Sequence, residues 1–106
     1  MIDYETFKSV ELKTGIIKSA EKVEGSDKLL KLKVDLGDEE RILMAGLGKQ
    51  YKPEDLIDKV VIVVANLKPK KIFGIESQGM LLAVEDENGI SLLTTDRKVK
   101  GGLRAW

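Results

Sequence analysis

Residues 30–36 alternate Leu30, Leu32, Val34 and Leu36 with Lys31, Lys33 and Asp35. A period of two puts the aliphatic side chains on one face of a strand and the charged ones on the other, so this stretch requires a sheet with one dry and one wet side. No segment sustains a helical period. Upstream, Val10, Leu12, Ile16, Ile17, Ala20 and Val23 predict a long strand whose apolar phase shifts around Thr14, Gly15 and Ile16. A glycine at such a shift predicts a bulge or bend. Residues 41–45 read as a third strand, entered from the acidic turn Gly37, Asp38, Glu39 and Glu40 and left through Gly46, Leu47 and Gly48.

Pro53, with Glu54 and Asp55 after it, suits the first turn of a short helix. The β-branched run 60–65 predicts a fourth strand and residues 78–85 a fifth, with Asn88 and Gly89 turning the chain into a return strand over 90–93. Five or more short strands with one short helix in 106 residues predict an all-β fold occupying 1–106 as one domain, a small barrel or sandwich. The five-stranded Greek-key barrel known as the OB-fold, with a short helix and terminal extensions, is one such solution. Runs 60–65 and 80–84 are apolar on both faces, which a lone antiparallel barrel does not need. A terminal arm or a second copy must cover the outer face, and a homodimer is the expectation.

Composition narrows the chemistry. Eighteen Lys and Arg balance eighteen Asp and Glu, and there is neither Cys nor His. Disulfides, thiol nucleophiles, imidazole acid-base catalysis and the usual zinc ligands are therefore excluded. The longest apolar run is far shorter than the roughly 20 residues of a membrane-spanning helix, and Met1 leads into Asp3 and Glu5 rather than an apolar signal. A soluble, cytoplasmic protein with no membrane attachment is expected. The Lys- and Glu-rich 34% of charged residues, with only Gln50, Gln78, Asn66 and Asn88 as amides, matches the compositional habit of hyperthermophile proteins.

Three cations, Lys68, Lys70 and Lys71, flank Pro69 in a stretch, 66–74, that holds no acid. Ammonium groups on long stems neutralise phosphates without fixed geometry, so the segment suits nucleic-acid contact, although a solvated lysine turn has the same composition. Ser77, Gln78 and Met80 follow it and offer short polar groups and a thioether to ribose or base edges; the alternative is a loop end and a core methionine. Ser77 and Met80 would share a surface only if the strand is irregular, and Gly79 is where the irregularity is expected. Lys28 follows Ser26 and Asp27, which suit a side-chain-to-backbone turn that leaves the lysine free. Arg97, Lys98, Lys100 and Arg104 form a second, unspecific cluster. No phosphate-cradling glycine loop, serine nucleophile motif or cofactor motif is present.

Taken together, Asp27-Lys28-Leu29, Ala45-Gly46-Leu47 and the whole of 66–83 resemble the tRNA-binding OB-fold domain family. This domain forms the C-terminal extension or detached beta subunit of methionyl-tRNA synthetases and recurs in free-standing tRNA-binding proteins. The likeness runs from about Phe7 onward; Ala45 departs from it, the family usually having Ser there. The resemblance implies a non-catalytic OB-fold homodimer, without cofactor, that holds tRNA by shape and backbone and raises the tRNA affinity of a methionyl-tRNA synthetase catalytic chain. It implies contacts from Lys28, Lys68, Lys70, Lys71, Ser77, Gln78 and Met80, with Arg41 and Asn66 as weaker candidates. The same family includes an export-associated peptide chaperone of about this size, which leaves a peptide-binding module or a purely structural dimerisation module as the alternatives.

Overall fold

A computed structural model describes all 106 residues. It opens with a helix absent from the sequence expectations, α1 (Tyr4–Lys8), whose first turn is capped by the Asp3 carboxylate accepting from the Thr6 backbone N–H at 2.9 Å. That bond holds the Asp3 carboxyl below the usual carboxylate range. Strands β1 (Leu12–Lys22), β2 (Leu30–Asp35) and β3 (Glu40–Ala45) then form a meander, α2 (Pro53–Leu56) follows with Pro53 in its first turn, and β4 (Val60–Val64) returns to pair with β1. β5 (Lys70–Ile72) and β6 (Ile75–Ser77) make a hairpin of their own. β7 (Met80–Leu81) pairs with β4, and β8 (Ala83–Asp86) with β9 (Gly89–Leu92) makes a second hairpin.

The main sheet has the order β3-β2-β1-β4-β7, all antiparallel. With β4 beside β1 rather than β3, this is Greek-key connectivity, and the outer members β3 and β7 curl toward each other into a nearly closed OB-type barrel. The alternation in β2 does what its period requires: Leu30, Leu32, Val34 and Leu36 are all buried, and with Ile17, Leu43, Leu56, Val61 and Val63 they form the core.

The long first strand serves both β2 and β4, so it must bend. The bulge lies at Lys18, between the pairs Ile17↔Val34 and Ser19↔Lys33, and not at Gly15 as the phase shift suggested. Gly15 instead marks a close approach: a Cβ there would stand 2.5 Å from Val34 Cγ1 and 3.2 Å from both Leu36 Cδ2 and Val63 Cγ2. The predicted fifth strand is also broken, into β7 and β8, because the chain leaves β4 at Leu82 to form the second hairpin.

The run 60–65 is covered by the chain itself. Val60, Val61, Val63 and Ala65 are buried; the Leu82 N–H donates to Ile62 O at 2.9 Å and the Thr94 hydroxyl to Val60 O at 2.7 Å. The C-terminal tail docks alongside β1 through buried Thr14, whose hydroxyl donates to Lys100 O at 2.8 Å and accepts from the Leu103 N–H at 2.9 Å. Of the two runs, only 80–84 keeps an open apolar face, at Met80 and Val84. Neither helix is long enough to cross a membrane.

Candidate nucleic-acid interface

Segment 66–80 links β4 to β7, and its residues divide into those that hold the barrel shut and those that stand free. The β5–β6 hairpin pairs Lys70 with Ser77, Lys71 with Glu76 and Ile72 with Ile75. Opposed residues share a face, so Ile72, Ile75 and Ser77 turn inward, where the two isoleucines pack on Val23, Leu29 and Met44, and Lys70, opposite Ser77, lies on that side at its exposed margin. Lys71 and Glu76 take the outer face. The stretch that carried no acid in sequence thus acquires one across the hairpin.

Ser77 is 5% exposed, and its hydroxyl accepts from the Met44 N–H at 3.0 Å and donates to Gly79 O at 3.1 Å. Gln78 donates its backbone N–H to Ile42 O at 2.8 Å, while its side-chain Oε1 accepts from the Ile42 N–H at 3.0 Å. The two side chains therefore complete the edge of β3 where no strand is available to pair with it, and close the barrel. Gly79 follows at φ +146°, with the Leu43 side chain and Val64 O each 3.1 Å from the position of a Cβ. The irregularity expected at Gly79 is present, yet it does not bring Ser77 and Met80 together. Ser77 points into the protein, and Met80, 46% exposed, points out. The Gln78 amide nitrogen has no protein partner.

The two weaker candidates are also engaged. Arg41 donates from Nε and Nη2 to the two carboxylate oxygens of Glu39, at 2.7 and 3.4 Å, and from Nη1 to Ala65 O and to Gln78 O. It joins β3 to both ends of segment 66–80. Its hydrogen bond and charge hold the Glu39 carboxyl below the usual range, and the same bond raises the guanidinium pKa further. Asn66 accepts from the Glu11 N–H at 2.9 Å and donates to Ser9 O at 2.7 Å, latching the loop to the segment that enters β1.

The lysines are free. Lys28, Lys68, Lys70 and Lys71 are all exposed, and none takes part in the three ion pairs of the molecule, Lys31–Glu21, Arg41–Glu39 and Lys49–Asp27. Lys28 sits in the β1–β2 loop, where the Ser26 hydroxyl accepts from the Lys28 and Leu29 N–H groups at 3.3 and 3.0 Å. Val23 and Leu29 bracket that loop and pack on the hairpin isoleucines, so Lys28 and the hairpin lysines occupy one end of the barrel. Met80 lines an apolar cleft of about 280 Å³ beside them, with Met44, Leu47, Leu81, Val84 and Ile90. Arg104 lies elsewhere, donating to Lys8 O on the terminal arms. Sequence reasoning missed Phe73, 60% exposed at the hairpin tip; the positive φ of +52° that marks it is not visible in sequence.

A family profile described as "Putative tRNA binding domain" matches residues 12–104. The chain belongs to the tRNA-binding domain family. Among relatives outside this chain, the methionine–tRNA ligase of Caldanaerobacter subterraneus subsp. tengcongensis is 52% identical over 104 residues, covering 95% of this chain and 16% of the ligase. That of Pyrococcus horikoshii is 50% identical over 103 residues, covering 97% and 14%. The domain therefore spans only about one-seventh to one-sixth of the length of these ligases. Of solved structures, a MetRS related protein from Pyrococcus horikoshii superposes with TM-score 0.92 at 44% identity, over 100% of this chain and 98% of that one. The chaperone CsaA from Picrophilus torridus superposes equally well, TM-score 0.92, at 31% identity over the whole of both chains. The tRNA-binding domain shares its OB-type barrel with both groups.

Proposed function

We propose that this chain is a non-catalytic tRNA-binding module of a cytoplasmic methionyl-tRNA synthetase, fused to the catalytic chain or associated with it, that raises the affinity of the synthetase for tRNA. One observation carries the reading: in a member of this family, Lys28 and the hairpin lysines Lys70 and Lys71 are exposed at one barrel end without ion-pair partners, and Lys68, equally exposed and unpaired, leads into the same hairpin. They neutralise tRNA backbone phosphates, the free Gln78 amide reaches a ribose or base edge, and Met80 packs on an unstacked base. Ser77, Arg41 and Asn66 act through the frame, because their polar groups already have protein partners. Phosphate contacts carry little sequence information, so tRNAs of different acceptors bind alike.

The working unit is a homodimer. Its support is the apolar surface on the terminal arms, where Tyr4, Phe7, Leu103 and Trp106 are exposed. Sedimentation equilibrium at micromolar concentration should give twice the 11.8 kDa chain mass; a monomer removes that part of the proposal.

Binding of unfractionated tRNA as a function of salt tests the central reading. Neutralising about three to five phosphates gives a slope of log affinity against log salt of roughly −2 to −4. Salt-independent binding, or equal affinity for a short DNA duplex, counts against it. The likeness to CsaA chaperones and the apolar cleft beside Met80 favour a second reading, peptide binding. An apolar peptide bound more tightly than tRNA would decide for it.

A further inference from the structure

We propose that Phe73 is a stacking platform for one unpaired nucleobase of the tRNA, set at the tip of the lysine hairpin. The β5–β6 hairpin closes through a two-residue turn, Phe73 and Gly74, with φ +52° and +76°. Positive φ at both central residues is the type I′ arrangement, whose first position ordinarily takes Asn, Asp or Gly. Left-handed backbone is uncommon for a bulky residue. An aromatic side chain in that place sits against the local preference, and an observed outlier of this kind points to function rather than to folding.

Where the ring stands supports the same conclusion. Phe73 is 60% exposed, with one edge close to Gly25 of the Lys28 loop: ring Cε1 lies 3.6 Å from where a Gly25 Cβ would be. The ring thus spans the two loops that carry Lys28 and Lys70, and its remaining surface is open. The chain has five aromatic residues. Tyr4, Phe7 and Trp106 lie at the terminal arms and the Tyr51 hydroxyl accepts from the Leu92 N–H, which leaves Phe73 as the one aromatic at the lysine end. A flat apolar ring between flexible cations is the arrangement that binds single-stranded nucleic acid: bases stack on the ring and phosphates follow the lysines. A base inside an intact duplex cannot reach such a ring, so the ligand is a nucleotide of a tRNA loop, bulge or end.

The inference rests on the tRNA-binding reading, and its test separates the two. Phe73→Asn supplies the residue the turn prefers, so the thermal midpoint should hold or rise while the stacking surface is lost. tRNA affinity should fall roughly 5- to 150-fold, the usual range for one stacked base. The salt slope should stay that of the parent, since no phosphate contact is removed, and affinity for a fully paired RNA duplex should not change. Phe73→Trp provides an optical check, with quenching of its fluorescence by saturating tRNA beyond any seen in the parent. A folded Phe73→Asn variant with parental tRNA affinity, or an unquenched Phe73→Trp, overturns the inference while leaving the lysine reading intact. A parent chain that binds no tRNA overturns both.

Discussion

Removing one oxygen from Ser77 should cost the fold more than it costs the interface. Ser77→Ala deletes a buried hydroxyl that accepts from the Met44 N–H and donates to Gly79 O. Each such bond contributes about 0.5–1.5 kcal/mol net, and a buried donor left unpartnered costs about 1–3 kcal/mol. Met44 is 7% exposed, so water does not readily replace the lost acceptor at its N–H. The expected loss is therefore about 2–3 kcal/mol, or about 8–18 °C in thermal midpoint at about 4–6 °C per kcal/mol for a chain of this size. The midpoint comes from calorimetry or far-ultraviolet dichroism, and tRNA affinity is measured well below it, where the variant is folded. Affinity should be parental. A midpoint within 2 °C of the parent together with a tenfold loss of affinity would refute the assignment of this hydroxyl to barrel closure and return it to the tRNA surface.

Lys70→Glu combined with Lys71→Glu should abolish tRNA binding while changing stability by about 0.5 kcal/mol or less, because both side chains are exposed and unpaired; calorimetry beside filter binding decides it. Gly15→Ala should destabilise by about 1–3 kcal/mol in urea titrations, since the new methyl meets Val34 Cγ1. Glu39 is held below its ordinary pKa by Arg41, so the stabilising effect of that pair is present above the ordinary glutamate range and is lost as pH falls through the depressed value. Glu39→Gln should accordingly flatten the acid limb of a stability-against-pH curve, and an unchanged limb would show that the pair contributes nothing.

Elements with a strong local signal were legible in the chain. The alternation from Leu30 to Leu36, the β-branched run of β4 and the Pro-led α2 each appear where they were expected, because period, branching and turn chemistry act over a few residues. The hairpin signalled by Asn88-Gly89 turns one residue earlier, on Glu87 and Asn88, with Gly89 paired to Asp86. The deviations are tertiary. The bulge at Lys18 is set by β1 having to serve two partner strands, and Gly15 by how closely Val34 and Val63 approach it. Helix α1 is five residues long, buries nothing and depends on the Asp3 cap, so periodicity had too little to register. The lysines were readable as a cluster because they are sequence neighbours. The engagement of Arg41, Asn66, Ser77 and Gln78 was not, since their partners lie between 24 and 57 residues away, apart from Glu39 and Gly79.

That division follows from how an OB-type barrel closes. β3 and β7 do not pair as strands, so the closure falls to the side chains of Ser77 and Gln78 and to Arg41, which draws Ala65 O and Gln78 O together. Segment 66–80 is therefore fixed at its two ends and projects between them as a hairpin. Its inner face is anchored by Ile72 and Ile75 on a small cluster separate from the main core. Such an excursion can change its exposed residues without disturbing the barrel, provided that the ends and the inner face are kept. Ser77, Arg41 and Asn66, whose polar groups are all engaged at the ends, bear on the proposed interface through the frame, so substituting them should alter stability first and affinity second. Gln78 serves both through its engaged oxygen and its free amide nitrogen. For the exposed residues of the hairpin, Lys70, Lys71 and Phe73, the order is reversed.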